Sequence, residues 1–221
     1  RNMFKTASML GMAFLGVTGA ALAAGNAELG QAKAEVCAAC HGADGNSIAL
    51  PPPADPWPKL AGQLPEYVIK QVHDFKSGRR KNEQMSPQAQ AVAEADLADI
   101  AAYFAKQKMT ANEVSDKDLL AKGEQIFFKG KGRPQVVPAC IGCHGRSGEG
   151  NRDWGKLMSK VPTVLAPAIG GQHANYLEKQ LKAYKDGSRN NDEAKVMRDI
   201  TARLSDADIT AVAEYAATRG N

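Results

Sequence analysis

Two short motifs constrain this chain more than any other part of its sequence. Cys37–His41 reads Cys-Ala-Ala-Cys-His, and Cys140–His144 reads Cys-Ile-Gly-Cys-His. Together they contain all four cysteines and two of the four histidines. Cys-x-x-Cys-His is the attachment motif of c-type haem, in which both thiols form thioethers to one porphyrin and the adjacent imidazole coordinates the iron. The sequence therefore predicts two covalently bound haem c groups, with His41 and His144 as iron ligands.

Other uses of a Cys-x-x-Cys pair fit this chain less well. A zinc site would combine both pairs, and a histidine at the same offset after each pair would then be a coincidence. A thioredoxin-like dithiol requires a strand followed by a helix, and that context is absent from the sequence. A disulfide would not require the histidines. Haem attachment accounts for both motifs and leaves no cysteine over.

The chain after Gly25 is an internal duplication, which predicts two domains at 26–112 and 113–221. The matching segments are Leu60–Gln71 with Ile169–Gln180 and Asp96–Tyr103 with Asp208–Tyr215. An insertion in the second repeat, at about 129–138, is rich in Gly, Pro and Lys and is predicted to be a surface loop. The polar stretch 108–117 is predicted to link the two domains.

The predicted fold class is all-α, because helical periodicity recurs in both repeats and no convincing strand alternation is present. Each repeat should contain three helices, with the last helix presenting one apolar face. The predicted helices span 28–36, 64–77 and 94–106 in the first repeat, and 118–128, 173–186 and 205–218 in the second. Gly30 and Gly123 occupy matched positions in the first helix of each repeat. Each could mark a fraying first turn or close packing against the last helix of its own domain.

Met85 and Met197 are the predicted sixth ligands of the two irons. Each lies between the second and third helices of its repeat, at the same distance from the third. A thioether is a soft, neutral ligand, and His/Met ligation raises the reduction potential. A single methionine is more often core filler, which is the expectation for Met109 and Met158 because neither has a counterpart in the other repeat.

Two matched prolines are predicted to support the axial histidines. A ligating histidine normally donates its second ring nitrogen to a backbone carbonyl, and Pro58 and Pro167 are the expected suppliers. The other two histidines, His73 and His173, do not recur between the repeats. Both are therefore predicted to be surface residues rather than ligands.

The N-terminal segment has the features of an export or membrane segment. Arg1 and Lys5 precede an uncharged run over 6–25, which contains Ala21-Leu-Ala23. This pattern fits a cleaved secretory signal peptide. The run is also close to the roughly 20 residues that span a bilayer, and the flanking charges would keep the N-terminus in the cytoplasm. We predict an uncleaved N-terminal hydrophobic helix that tethers the protein to the periplasmic side of the inner membrane.

Composition argues against some partners. The formal net charge is only +4, and the sequence contains no basic stripe with interleaved aromatic residues, so nucleic acid is not an expected partner. Aromatic residues make up only 6% of the chain, and buried porphyrins would supply apolar mass that such small domains lack.

Taken together, the tandem motifs, the repeated Leu60–Gln63 and Ile169–Gln172 segments and the paired methionines resemble the dihaem cytochrome c4 family. The resemblance covers the chain after about Ala24. It implies two class I cytochrome c folds related by a pseudo-twofold axis. It also implies a periplasmic carrier, not an enzyme, that takes electrons from a quinol-oxidising bc1 complex to a terminal oxidase, often of the cbb3 type. Members are usually soluble or loosely membrane-bound, so a fixed N-terminal helix would be a departure.

The alternative is a dihaem oxidoreductase, such as a peroxidase or a sulfur-compound oxidoreductase, with one open haem. Such an enzyme needs an accessible iron face and groups for acid–base chemistry. The sequence offers no third conspicuous constellation, so no catalytic residue is predicted. The predicted cofactor-binding residues are Cys37, Cys40, His41, Met85, Cys140, Cys143, His144 and Met197, of which His41, Met85, His144 and Met197 are the predicted iron ligands.

Overall fold

Helices supply the regular structure of both repeats. The computed structural model describes residues 25–48, 57–114, 116–157 and 164–220. In the first repeat the helices are α1 Ala27–Lys33, α2 Glu35–His41, α3 Pro65–Lys76, α4 Met85–Ala91 and α5 Glu94–Lys106. In the second repeat they are α6 Lys117–Lys129, α7 Ile141–His144, α8 Trp154–Leu157, α9 Ala174–Asp186, α10 Val196–Thr201 and α11 Asp206–Ala217. Within the described ranges the only β-structure is two isolated antiparallel bridges, so the all-α prediction is confirmed.

Five of the six predicted helices are present close to their predicted bounds, as α3, α5, α6, α9 and α11. The sixth, predicted over 28–36, is interrupted at Ala34 and is divided between α1 and α2. Short helices lie between the long ones. The two Cys-x-x-Cys-His motifs end α2 and α7, while Met85 begins α4 and Met197 lies in α10. Helices of four to seven residues, such as these, contain too few turns for hydrophobic periodicity to reveal them. The predicted N-terminal hydrophobic helix, apart from Gly25, lies outside the described residues.

In each repeat the first helix packs tightly against the last. A Cβ atom at Gly30 would lie 2.0 Å from the carbonyl oxygen of Asp99 in α5. At Gly123 it would lie 2.2 Å from the carbonyl oxygen of Ala211 in α11. Both distances are far below van der Waals contact. Close packing, rather than a fraying turn, is therefore the reason for the matched glycines.

The last helix of each repeat carries the core that the periodicity predicts. In α5 the buried apolar residues are Leu97, Ile100, Ala101 and Phe104. In α11 they include Ile209, Val212, Ala213 and Ala216. Each apolar face joins its own hydrophobic cluster. The two clusters give each repeat its own core, against which the motif-bearing helices are placed.

Asp208 connects α11 to α6 through a buried carboxylate. The Ser205 hydroxyl accepts from the Asp208 N–H at 3.2 Å, and the Asp208 carboxylate accepts from the Ser205 N–H at 3.0 Å, which completes a capping box. Lys122 lies 2.9 Å from the same carboxylate, and Lys131 also pairs with it. Burial alone would raise the pKa of Asp208, but the hydrogen bonds from these lysines and from Ser205 hold it well below its usual range.

Asp208→Asn should lower the free energy of unfolding at pH 7 by about 1–2 kcal/mol, because it removes the negative charge that Lys122 and Lys131 contact and leaves one amide oxygen to accept from Ser205. The folded-state pKa is depressed, so the stabilisation is present above the unfolded-state pKa of about 4 and is lost as the pH falls below it. Guanidinium unfolding at pH 7 and pH 3 should show the deficit narrowing in acid. Glu35→Gln, at an exposed carboxylate, is the control and should stay within about 0.5 kcal/mol of wild type at both pH values. A deficit that is equal at both pH values would contradict the ionic origin.

Candidate functional site

A single cavity of 610 Å³ extends across the two repeats. Its wall is mostly apolar, and it contains the motif residues and the methionines of both repeats. The eight predicted cofactor-binding residues that line it are Cys37, Cys40, His41, Met85, Cys140, Cys143, His144 and Met197. The fold therefore brings together residues that are far apart in sequence around one continuous space.

Each motif histidine is held by a backbone carbonyl of its own repeat. Nδ1 of His41 lies 2.7 Å from the carbonyl oxygen of Pro58, and Nδ1 of His144 lies 2.8 Å from that of Pro167. The prediction that the carbonyl oxygens of Pro58 and Pro167 accept from the axial histidines is thus confirmed. Burial lowers the pKa of both histidines, which favours neutral rings. A neutral ring that donates from Nδ1 keeps the Nε2 lone pair for a metal.

The cysteines are half-buried thiols on the cavity wall, where they could attach to a flat apolar group. All four are free, and Cys37 and Cys40 are three residues apart on α2, so they share one helix face. Burial raises the pKa of Cys37 to about 11 and that of Cys140 to about 12. Within the described residues no group of three or more His, Cys, Asp or Glu side chains could hold a metal ion, as a zinc site combining both pairs would require.

Met85 enters the cavity from the start of α4. Its N–H donates to the Asn82 side chain at 2.8 Å, which fixes the first turn of the helix. The side chain is partly buried against the core of the first repeat. Met109, by contrast, is fully buried, as expected of core filler, and Met158 lies outside the described residues.

Met197 lines the cavity directly after a strained turn. Ala194 and Lys195, just before α10, adopt φ values of 53° and 58°, which non-glycine residues rarely do. The fully buried Thr201 hydroxyl then donates to the Met197 carbonyl at 2.8 Å. Strain of this kind persists only where the surroundings enforce it and is typical of functional sites. Ligation of iron by Met85 and Met197 stays a prediction.

Two arginines at matched positions line the cavity and reach across the domain interface. Arg80 donates to Tyr176 and Gln180, and Arg189 donates to Tyr67, all at 2.9 Å. These partners are neutral, and burying a cation beside neutral groups alone costs free energy. Haem c carries propionate groups, so a cavity with thiols, imidazoles and two arginines on its wall fits the cofactor that the motifs predict.

The prediction that His173 is a surface residue is wrong. It is only 3% exposed and lies between the domains, with Nε2 2.9 Å from the Ser47 carbonyl and Nδ1 3.2 Å from the Asn112 side chain. An interface residue need not recur in both repeats, so the repeat comparison could not detect it. His73 is a surface residue, as predicted: its side chain is 42% exposed and lies 2.7 Å from Glu94.

Comparisons with known proteins identify the family. The cytochrome c family model matches residues 27–108 and 120–219. A cytochrome c4 from Pseudomonas aeruginosa is 48% identical over 91% of this chain and 92% of its own length. This chain belongs to the cytochrome c4 family. Membership confirms the tandem cytochrome c folds and the two covalently bound haem c groups that the motifs predict.

A solved structure supports the same assignment. The crystal structure of reduced recombinant cytochrome c4 from Pseudomonas stutzeri matches 89% of this chain and all of its own, with a TM-score of 0.75 and 41% identity. A more distant relative, the thiosulfate dehydrogenase electron acceptor of Thiomonas intermedia, is 34% identical over 85% of this chain and 80% of its own length. Like other cytochromes c4, the protein is a dihaem electron carrier.

Proposed function

We propose that this cytochrome c4 works in the periplasm, where it accepts electrons from a quinol-oxidising bc1 complex and delivers them to a cbb3-type terminal oxidase. One observation carries the proposal: both sets of cofactor residues line one continuous cavity across the domain interface. Two redox groups placed this way lie in series within one small protein. An electron can then enter through one domain and leave through the other.

The residues of the chain make each site suitable for repeated one-electron transfer. Haem c, when bound, supplies a ferric/ferrous couple. The imidazoles of His41 and His144 each donate to a backbone carbonyl, which restricts rotation of the ring. Apolar side chains such as Phe75 and Leu97 line the cavity and limit the access of water. Arg80 and Arg189, whose partners Tyr176 and Tyr67 are neutral, would offset the propionate charge of bound haem.

Stopped-flow spectroscopy of the purified holoprotein tests this route. A bc1 complex supplied with quinol should reduce both haems much faster than quinol alone, and a cbb3-type oxidase should then reoxidise them with consumption of oxygen. Transient redox interfaces are small and steered by charge, so both rates should change with ionic strength. Reduction no faster than by quinol alone, or failure of the oxidase to reoxidise the protein, would contradict the proposal.

A second electron donor is favoured by the relative from Thiomonas intermedia, which is named as an electron acceptor of thiosulfate dehydrogenase. The same stopped-flow experiment separates the candidates when a thiosulfate dehydrogenase with thiosulfate replaces the bc1 complex. Faster reduction by that enzyme would reassign the donor and leave the carrier role intact. Reduction by thiosulfate without any added enzyme would instead support the alternative of a dihaem oxidoreductase with one open haem.

The N-terminal tether is a further part of the proposal. The segment over 6–25 lies, apart from Gly25, outside the described residues, and no helix in the described part of the chain has the length and hydrophobicity needed to span a bilayer. An uncleaved segment would hold the carrier near its membrane partners and raise their effective concentration. The mass of the mature protein, measured separately in membrane and periplasmic fractions, tests this. A single cleaved species in the periplasmic fraction would exclude the tether.

A further inference from the structure

Two buried glutamines make matched contacts across the domain interface. Gln63 and Gln172 end the repeated Leu60–Gln63 and Ile169–Gln172 segments and are only 6% and 3% exposed. Gln172 accepts from the N–H of Lys59 and donates to its carbonyl oxygen, both at 2.9 Å. Gln63 makes the same pair of contacts with Ala168, also at 2.9 Å. Each side-chain amide therefore pairs with a backbone segment of the opposite domain.

The peptide groups that receive these contacts are the ones that hold the axial histidines. The Pro58–Lys59 peptide accepts from His41 at its oxygen and donates its N–H to Gln172. The Pro167–Ala168 peptide accepts from His144 and donates its N–H to Gln63. The hydrogen bonds thus run from a glutamine of one domain, through one peptide unit, to the iron ligand of the other.

We propose that Gln63 and Gln172 are positioning residues that act crosswise. Gln172 sets the orientation and donor strength of His41, and Gln63 does the same for His144. The inference depends on the two haem groups of the family but not on the identity of any redox partner. On this proposal, the reduction potential of each haem depends in part on a glutamine of the other domain.

The physical reason is the polarisation of a peptide group by its own hydrogen bonds. When Gln172 accepts from the Lys59 N–H, the Pro58 carbonyl becomes a better acceptor, because linked hydrogen bonds strengthen one another. A stronger acceptor at Nδ1 makes the imidazole of His41 a stronger donor to iron. Stronger donation favours the ferric state and lowers the potential.

The geometry of the glutamine is itself fixed. Gln172 Oε1 accepts a second bond from the N–H of His173 at 3.0 Å, and Gln63 Oε1 accepts one from Leu64 at 3.1 Å. Each amide oxygen is therefore held by its own domain while it contacts the other. A displacement of one domain relative to the other would strain the contact to the opposite peptide directly.

Gln172→Met is the main test, because methionine keeps the length and volume of the side chain but accepts no bond from Lys59. Haem 1, attached through Cys37 and Cys40, should rise in reduction potential, with haem 2 moving less. Gln63→Met should reverse the pattern. Potentials are measured by redox titration, with each haem assigned from its methyl signals in NMR spectra. The Nδ1 proton of His41 should also shift in Gln172→Met while that of His144 keeps its position.

Glu66→Gln is the matched control, because it weakens an exposed ion pair to Arg152 between the same two domains, at 3.6 Å, without touching either peptide. It should leave both potentials and both histidine signals unchanged. If Gln172→Met does not assemble with two haems, Gln172→Leu replaces it: leucine likewise accepts no bond from the Lys59 N–H and should raise the potential of haem 1 more than that of haem 2. Equal shifts of both haems, a larger shift in the same domain as the substitution, or no shift would overturn the proposal.

Discussion

Met197→Ala should lower the reduction potential of haem 2 and open its iron to carbon monoxide. The thioether favours the ferrous state, so its loss removes that preference. Axial ligands set haem potentials over a span of about 0.8 V, and we expect a fall on the order of 0.1 V or more. Met85→Ala should do the same to haem 1. Each variant should affect mainly its own haem, because the two methionines belong to different domains.

Three measurements check this prediction. The ferric protein should lose part of the weak near-infrared band that thioether coordination produces, the redox titration should show one component at lower potential, and the ferrous protein should bind carbon monoxide at one haem. Met109→Leu is the control, because Met109 is fully buried core filler and leucine nearly conserves its volume. It should leave the band and both potentials as in wild type.

The contrary outcomes are equally informative. Carbon monoxide binding to one haem of the untreated wild-type protein would show an open iron and favour a dihaem oxidoreductase over a carrier. An Ala variant that retains the near-infrared band in full would show that its methionine is not the ligand. The strained turn at Ala194 and Lys195 would then need another explanation than the delivery of Met197.

Sequence reasoning reached the cofactor site through patterns that occur once in each repeat and match between the two. The two motifs, the paired methionines and the prolines all recur, and the structure places them around one cavity. The prolines could be predicted because a ligating histidine needs a backbone acceptor and because Pro58 and Pro167 occupy matched positions, two residues before Leu60 and Ile169. The strained turn before α10 could not, because Ala194 and Lys195 are residues that rarely adopt positive φ.

Contacts between the two repeats could not be predicted from the sequence, for a physical reason. The repeated segment ending in Gln63 and Gln172 was visible in the sequence, and so was the match of Arg80 with Arg189. Which residues they contact depends on how the two domains dock, and each pairs with a residue of the other repeat. His173 was misjudged for the same reason.

Gly123→Ala should destabilise the second domain by about 1–3 kcal/mol, the usual cost of overpacking a close-packed core. A glycine-to-alanine change inside an unhindered helix would stabilise it by up to about 1 kcal/mol. At this position the new Cβ would lie 2.2 Å from the Ala211 carbonyl oxygen and 2.6 Å from Cβ of Tyr215. The Ala211 oxygen is a backbone atom of α11, and the Cβ of Tyr215 is bonded directly to the backbone of the same helix. Neither atom can move aside unless α6 and α11 separate. The added methyl group therefore either overpacks the contact or forces the two helices apart, which opens the core.

Guanidinium unfolding followed by far-ultraviolet circular dichroism measures the loss. Gly132→Ala is the control, because a Cβ there meets no atom within 4 Å, and it should stay within about 0.5 kcal/mol of wild type. If Gly123→Ala proved as stable as wild type, α6 and α11 could separate at little cost. The contact between α6 and α11 would then not fix the position of α7, which follows α6 and ends at His144. The position of His144 would instead depend on the Pro167 carbonyl and on the contact of Gln63 with Ala168.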